Sequence, residues 1–298
     1  VHAGVIEPGH FRFQCNGEKV FNLEIHLGYQ HRGIEKMMIS ANPVKRMIIA
    51  ESIAGDSAIS HGFAYCRAIE GLAEKEVTKR ARIIRAIALE AERLANHVGD
   101  LGALSNDVGF LPPASYFGKL RADFLNLLLL INGNRFGRSL LKPGGVRFDI
   151  SSSMVDELKK RLRDAMKDVN DTIDLLFSTQ SVVSRLENTG IVSHETAKEI
   201  GLVGVSARAC NLKRDVRINY PTGLFKMKDV LIATVSSGDV YARARVRALE
   251  IKRSSELIEE MLVEITDEKI CLPINELGKS SFVVSMIEGW RGEVVHIA

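Results

Sequence analysis

A helix that is apolar on every side has to be enclosed by its neighbours. One stretch of this chain demands such a place. Pro112-Pro113 opens a helical segment running towards Leu141, and Phe124 to Ile131 give it little polar relief. Lys142-Pro143-Gly144-Gly145 is a clear stop signal. The segment therefore predicts a central helix with others packed round it. Asn42-Pro43 starts one of these, with proline at a favoured first-turn position. Residues 75–103 and 151–187 read as long helices, the second opened by a serine cluster and carrying the alternating charges of a solvated face. Gly238-Asp239 begins a further long helix that ends near Ile265, and residues 193–200 form a small one.

Strand signals lie near both ends. FRFQC and VFNLEIHL flank Asn16-Gly17, a two-residue hairpin turn. SFVVSMIEGWRGEVVHIA reads as two strands around Glu288-Gly289-Trp290-Arg291-Gly292. The expected fold is mainly α: a helical-bundle core with a small β-sheet built from the terminal hairpins. Three regions follow: an N-terminal hairpin and junction (1–40), the bundle core (41–190), and a loop-rich segment with a long helix and C-terminal hairpin on the same core (191–298). With 298 residues, 46% hydrophobic and 26% charged, the chain has material for a large core. A net charge of +3 is too small to argue for nucleic acid or a polybasic membrane anchor. No apolar run approaches the ~20 residues of a spanning helix, so no transmembrane segment is expected. Cys15, Cys66, Cys210 and Cys271 are too scattered for a zinc motif and read as free thiols in a reducing compartment.

The window AESIAGDSAISHGFAYCRAIE, residues 50–70, has small and polar residues where a core helix should be greasy. Read as one helix, it puts Ala54, Ser57 and His61 on one face. That face either makes a close helix–helix contact or lines something other than ordinary core. Gly55-Asp56 are poor helix formers within it. Glu7 and His10 bracket Pro8-Gly9, either as solvated surface or as groups aimed into a site. His26, His31, Arg32 and Glu35 surround two glycines at a polar junction. Glu90, Arg93 and His97 form one polar stripe, whose Glu–Arg pair reads as a surface pair worth a few tenths of a kcal/mol. Asp107 reads as a turn residue. Arg208, Asp215 and Arg217 stand in an irregular setting.

The order of the local phrases carries more. VHAGVIEPGHFRF, HLGYQHRGIEKM, pieces of 51–70, ALEAERLANHVGDLGALSNDVGF, FGRSLLKPGGV, RACNLKRDVR, GDVYARARVRALEI and EGWRGEV follow one another along nearly the whole chain. In that order they resemble the large subunit of membrane-bound, energy-converting nickel–iron hydrogenases, formate hydrogenlyase included. The quinone-site subunit of respiratory complex I (NADH:quinone oxidoreductase) is the sister of that family. The resemblance implies an Fe–S small subunit carrying a 4Fe-4S cluster as partner, membrane-arm subunits beyond it, and a cytoplasmic chain held peripherally at the inner face of the membrane. It places Glu7 at a proton-relay position, Arg32 near the partner's cluster with His10 close by, and Asp107 at a residue lining the quinone site. With His61, Glu7 and Asp107 are expected to form a proton path or acceptor cavity.

The departures from the family pattern decide the expectation. Where hydrogenases have a nickel-binding CxxC, this chain has Ala54 and Ser57. A methyl is no ligand, and a hydroxyl is a hard donor where a soft thiolate is wanted. The family's second CxxC is expected beyond residue 298, so at most two thiolates could complete a nickel site. Gly55 stands where complex I has a quinone-contacting tyrosine. The chain is expected to bind no metal or cofactor itself, with quinone as a candidate acceptor. The functional expectation is a subunit of a membrane-associated oxidoreductase complex that docks an Fe–S subunit and has lost its N-terminal nickel cysteines. The alternative is a non-catalytic scaffold coupling the Fe–S subunit to the membrane arm.

Overall fold

The computed structural model describes residues 9–228 and 230–298. In chain order the elements are β1 (His10–Asn16), β2 (Lys19–His26), α1 (Ile34–Ser40), α2 (Pro43–Glu51), α3 (Ala58–Leu72), α4 (Lys79–Asp107) and α5 (Leu111–Asn132). There follow β3 (Leu141–Lys142), β4 (Gly145–Val146), α6 (Ser152–Ser178), α7 (Gln180–Leu186), α8 (His194–Glu199), α9 (Gly204–Ala209) and α10 (Val216–Asn219). A 3-10 turn over Gly223–Met227, α11 (Val240–Val263), β5 (Val284–Gly289) and β6 (Gly292–Ile297) complete the chain. The fold is mainly α, as the sequence indicates.

The helix starts obey capping chemistry. The side chains of Asn42, Thr78, Ser151 and Asp239 each accept a hydrogen bond from the backbone N–H three residues on. Two ends differ from the sequence reading. The helix opened by Pro112-Pro113 stops at Asn132, where Gly133 takes a left-handed conformation (φ 74°) and closes the last turn onto Leu129. The long helix from 151 divides into α6 and α7, because Thr179 is extended (ψ 98°).

The enclosed helix is α4 rather than α5. Ala81 and nearly every residue from Ile83 to Val98 are buried, including Arg85, Glu90, Glu92, Arg93, Asn96 and His97. α5 keeps an exposed side, with Leu129 at 41% accessibility. A chain can surround a helix bearing these polar groups only if each finds a partner. α4 packs against α5 on one side and α11 on another, and α5 packs in turn on α6.

The terminal hairpins do not share a sheet. Each forms its own two-stranded antiparallel ribbon, and β3–β4 is a third. In β1–β2 the turn residues are Gly17-Glu18, since Asn16 pairs with Lys19, and Gly17 supplies the positive φ. Side chains on both faces of that ribbon are exposed. β5–β6 instead lies against α3. Its turn is seated by Gly204, where a Cβ would lie 1.9 Å from the Arg291 carbonyl oxygen.

Gly204→Ala therefore combines left-handed strain (φ +63°) with that overlap, whereas Gly201→Ala (φ +69°) meets open space. Thermal unfolding is expected to show a loss of about 1–2 kcal/mol for Gly201→Ala, from backbone strain alone. Gly204→Ala should lose that and a further ~1–3 kcal/mol from the overlap.

Candidate functional site

The window 50–70 is not one helix. α2 ends at Glu51, α3 begins at Ala58, and Gly55-Asp56 lie in the loop between them. Ala54 and Ser57 are thus loop residues, and the single face they were expected to share with His61 does not exist. Weak helix formers interrupt the helix where neighbouring elements grip the backbone instead.

Four side chains make that grip. Arg32 donates to the carbonyls of Ser52 (2.9 Å) and Ile53 (2.7 Å). Asn96 of α4 donates to the Asp56 carbonyl at 2.8 Å. Trp290 Nε1, in the β5–β6 turn, donates to the Asp56 carbonyl and to Ser57 Oγ, both at 3.0 Å. Arg291 holds the Asp56 carboxylate in a two-bond fork at 2.7 Å each. The start of α3 is closed by Glu92 of α4, which accepts from the Ile59 N–H (2.7 Å), the Ser60 N–H (3.1 Å) and the Ser60 hydroxyl.

The loop forms one wall of an open cleft of about 1190 Å³. Ala54, Arg32, Arg121, Arg138, Arg291 and Asp56 are among its lining residues. Four guanidinium groups against one carboxylate leave this cleft positive. Among the described residues, no cysteine lines it. Cys66 is buried in α3, its thiol pushed up to about 12 by burial, and Cys15 is exposed on β1. Ser57 is 5% exposed and turned to Trp290, so of the two positions only Ala54 faces the cleft.

Behind the cleft lies a buried ionic network that the sequence reading missed. Arg93 pairs with Glu90 (3.1 Å) and donates to the carbonyls of Glu288 (2.7 Å) and Gly289 (3.0 Å). Arg217 bridges Glu90 (2.9 Å) and Asp215 (2.6 Å). Arg208 bridges Glu250 (2.6 Å) and Glu288 (2.8 Å). Glu250 also accepts from His97 Nε2 at 2.8 Å, and Glu90 accepts from the Ser254 hydroxyl at 2.6 Å. The Glu90–Arg93 surface pair is therefore corrected: both side chains are 0% exposed.

The charges do not cancel. Three arginines face four carboxylates. His97 Nδ1 is buried without a hydrogen-bond partner among the described residues, and burial holds the ring's pKa down, so His97 is neutral. Burial opposes ionisation of Glu250, Glu90 and Asp215, but the arginines outweigh it and hold all three below the usual carboxylate range. Glu288 moves the other way, raised by burial and by the neighbouring Asp215. Its two oxygens accept from Arg208 Nη1 (2.8 Å) and from the Val216 N–H (2.9 Å).

A second polar group flanks the loop. His61 Nδ1 lies 3.1 Å from His296 Nε2. Burial, then His296 and Arg291, lower the His61 pKa to about 4, so the ring is neutral at pH 7. Glu92, beneath the start of α3, is raised to about 7 by burial.

The structure brings Arg32, Ala54, Ser57 and His61 to one loop and its surroundings. It places Asp107 at the exposed end of α4, three turns beyond Asn96 and roughly 16 Å along the helix axis. His10 is exposed at the first position of β1, its ring 6.1 Å from that of its cross-strand partner His26. Glu7 lies outside the described residues. Asn96, Trp290 and Arg291, which shape the site, were not among the residues singled out. Only the turn signal at 288–292 hinted at the last two.

Comparison with known proteins adds a family context. The profile described as "Respiratory-chain NADH dehydrogenase, 49 Kd subunit" matches residues 107–285. The membrane-bound hydrogenase subunit alpha of Pyrococcus furiosus is 30% identical over 318 residues, covering 99% of this chain and 73% of its own. An NADH-quinone oxidoreductase subunit of Chloroherpeton thalassium is 31% identical over 283 residues, covering 95% of this chain and 62% of its own. Formate hydrogenlyase subunit 5 of Escherichia coli is 26% identical over 297 residues, covering 99% of this chain and 52% of its own.

Removing one carboxylate from the network is expected to leave an arginine short of a partner. Glu250→Gln leaves Arg208 under-paired and should lose about 3–5 kcal/mol in denaturant titration. Glu288→Gln should also lose stability, since its two oxygens accept from Arg208 and the Val216 N–H and an amide offers one acceptor oxygen for those two donors. The histidine has its own signature. The unfolded ring takes a proton near 6.5 and the folded ring only near 4, so protons favour unfolding between those values. Wild type should therefore lose stability relative to His61→Gln as pH falls from 6.5 to 4, and unfolding midpoints across that range check it.

Proposed function

The chain belongs to the family of the respiratory-chain NADH dehydrogenase 49 Kd subunit, and from this we propose that it is a subunit of a membrane-associated multisubunit oxidoreductase complex. It docks an Fe–S small subunit against the cleft beside the α2–α3 loop, and it works without nickel. The observation that carries this reading is the lining of the cleft: Ala54 with four arginines, and no thiolate among the described residues. The residues present do not fit a nickel ion held by sulfur, so no step is routed through one.

What the chain supplies is a positive wall and a rigid floor. The arginines attract an acidic partner surface and favour added electron density on a cluster placed opposite them. Electron transfer to quinone or another acceptor near the cluster then needs charge balance. In the neutral His61–His296 pair one ring donates its N–H to the other, and a proton taken up at the donor's far nitrogen as one leaves the acceptor's far nitrogen would cross the pair with both rings left neutral. Glu7 is proposed as a further carrier of that path. Membrane attachment through partner subunits is part of the proposal; no helix among the described residues is long and apolar enough to cross a bilayer.

A second reading has its own support. The Ser57 hydroxyl and the Arg32 guanidinium both hold the loop rather than face a reactant. On this reading the chain is a scaffold that couples the Fe–S subunit to the membrane arm without redox chemistry in its own cleft.

The complex purified through this chain should contain iron and sulfide but no stoichiometric nickel by elemental analysis. Arg138→Glu, a reversal at an exposed position of the cleft, should lower the co-purifying iron several-fold, with the wild-type interaction weakening as salt rises. A nickel ion per complex would overturn the proposal, and unchanged iron in the variant would remove the docking surface. Quinone-reductase activity that falls in His61→Gln favours the redox reading. Activity indifferent to it favours the scaffold.

A further inference from the structure

A second cavity, sharing no lining residue with the cleft, lies beside the later turns of α3. It has a volume of about 520 Å³ and is walled by α3, the start of α4 and the 220–223 segment. Its charged groups are mostly committed. Glu70 is held by Arg85 through bonds of 2.6 and 2.9 Å and also accepts from the Gly144 N–H at 2.8 Å. Glu76 is paired with Arg82.

Arg67 is different. It sits on α3 one turn before Glu70 and lines this cavity. Its Nη1 is buried and has no hydrogen-bond partner among the described residues. No salt bridge joins it to any described carboxylate, because the nearest candidate on its own helix, Glu70, is saturated by Arg85. Partial burial of this guanidinium lowers its proton affinity. Lys75 and Lys226 line the same cavity, where Glu74 is the one lining carboxylate without a salt bridge among the described residues. Tyr220 and Phe63 give it an aromatic side.

We propose that this cavity binds an oxyanion, a phosphate group above all, with Arg67, Lys75 and Lys226 as the donors in its lining. The guanidinium nitrogens other than the enclosed Nη1 are the donors open to such a group, and no salt bridge to a described carboxylate competes for them. The aromatic wall accommodates the body of a phosphomonoester or the glycerol end of an anionic lipid. The site is separate from the cleft lined by Ala54 and does not depend on the function proposed for it.

The test uses the intact complex purified through this chain. Inorganic phosphate and glycerol phosphate are titrated by calorimetry, and sedimentation measures attachment to vesicles of phosphatidylglycerol in phosphatidylcholine. Arg67→Gln should weaken binding at least about tenfold, the value of one charge-assisted contact, and Lys75→Gln/Lys226→Gln should weaken it less. Arg67→Gln should fold as well as wild type, since it removes a half-buried cation that makes no salt bridge among the described residues. Should it fail to fold, the double lysine variant with phosphate-induced thermal stabilisation carries the test. Binding of the soluble phosphates identifies a free ligand. Binding of vesicles alone, lost in Arg67→Gln, identifies a lipid headgroup. Equal binding by wild type and Arg67→Gln, or none by wild type to either probe, overturns the proposal.

Discussion

Arg93 is the residue through which the core of the bundle reaches the site. It stands on the most enclosed helix and holds the Glu288 and Gly289 carbonyls of the C-terminal hairpin. Those two bonds fix where the β5–β6 turn begins. The next two residues, Trp290 and Arg291, then meet Asp56 and Ser57. The shape of the cleft is therefore set by a chain of contacts from α4, through a hairpin far away in sequence, to the short α2–α3 loop. An ion pair is tolerated in such a place only because every arm of the guanidinium is met: two carbonyls, Glu90 and, at 3.6 Å, Glu250.

The same network explains why α4 rather than α5 is enclosed. Hydrophobicity alone favours α5, whose Phe124–Ile131 run is the greasiest part of the chain. Yet α4 is the helix with partners on all sides, its stripe of Glu90, Arg93 and His97 meeting α11, α10 and the C-terminal hairpin. Buried polar groups of this sort add little net stability over an apolar core, but they admit very few alternative packings. Three separated segments, around 208–217, 250–254 and 288–289, must arrive in register before the arginines are satisfied.

Much of the fold was legible because helix caps, breakers and hairpin turns are local signals. Asn42-Pro43, Gly238-Asp239, the 288–292 turn and the stretches of long helix read correctly from short-range chemistry. The break at 52–57 was half legible, since Gly55-Asp56 announced a weak helix without showing that it fails. The end of α5 was announced by Asn132-Gly133, but the apolar run before it outweighed that stop in a reading by hydrophobicity. The ionic network was not legible, because pair spacing on one helix cannot reveal partners from distant segments. For the site, the sequence pointed to Ala54, Ser57, His61 and Arg32, and these do gather around one loop. Asp107 does not join them, and Glu7 lies outside the described residues. The residues that clamp the loop, Asn96 and Trp290, carry no chemical signature of their own.

Family membership and the cleft's chemistry bear on the same point from different sides. The chain belongs to a family of subunits of redox complexes, while the wall of the cleft carries Ala54 and, among the described residues, no cysteine. The most direct measurement is a cryo-electron-microscopy structure of the complex isolated through this chain. The account predicts an Fe–S subunit seated over the Arg32 and Ala54 side of the α2–α3 loop, with its nearest cluster facing the arginines and no metal density in the cleft. A cleft open to solvent, with the Fe–S subunit bound on another face, would contradict it.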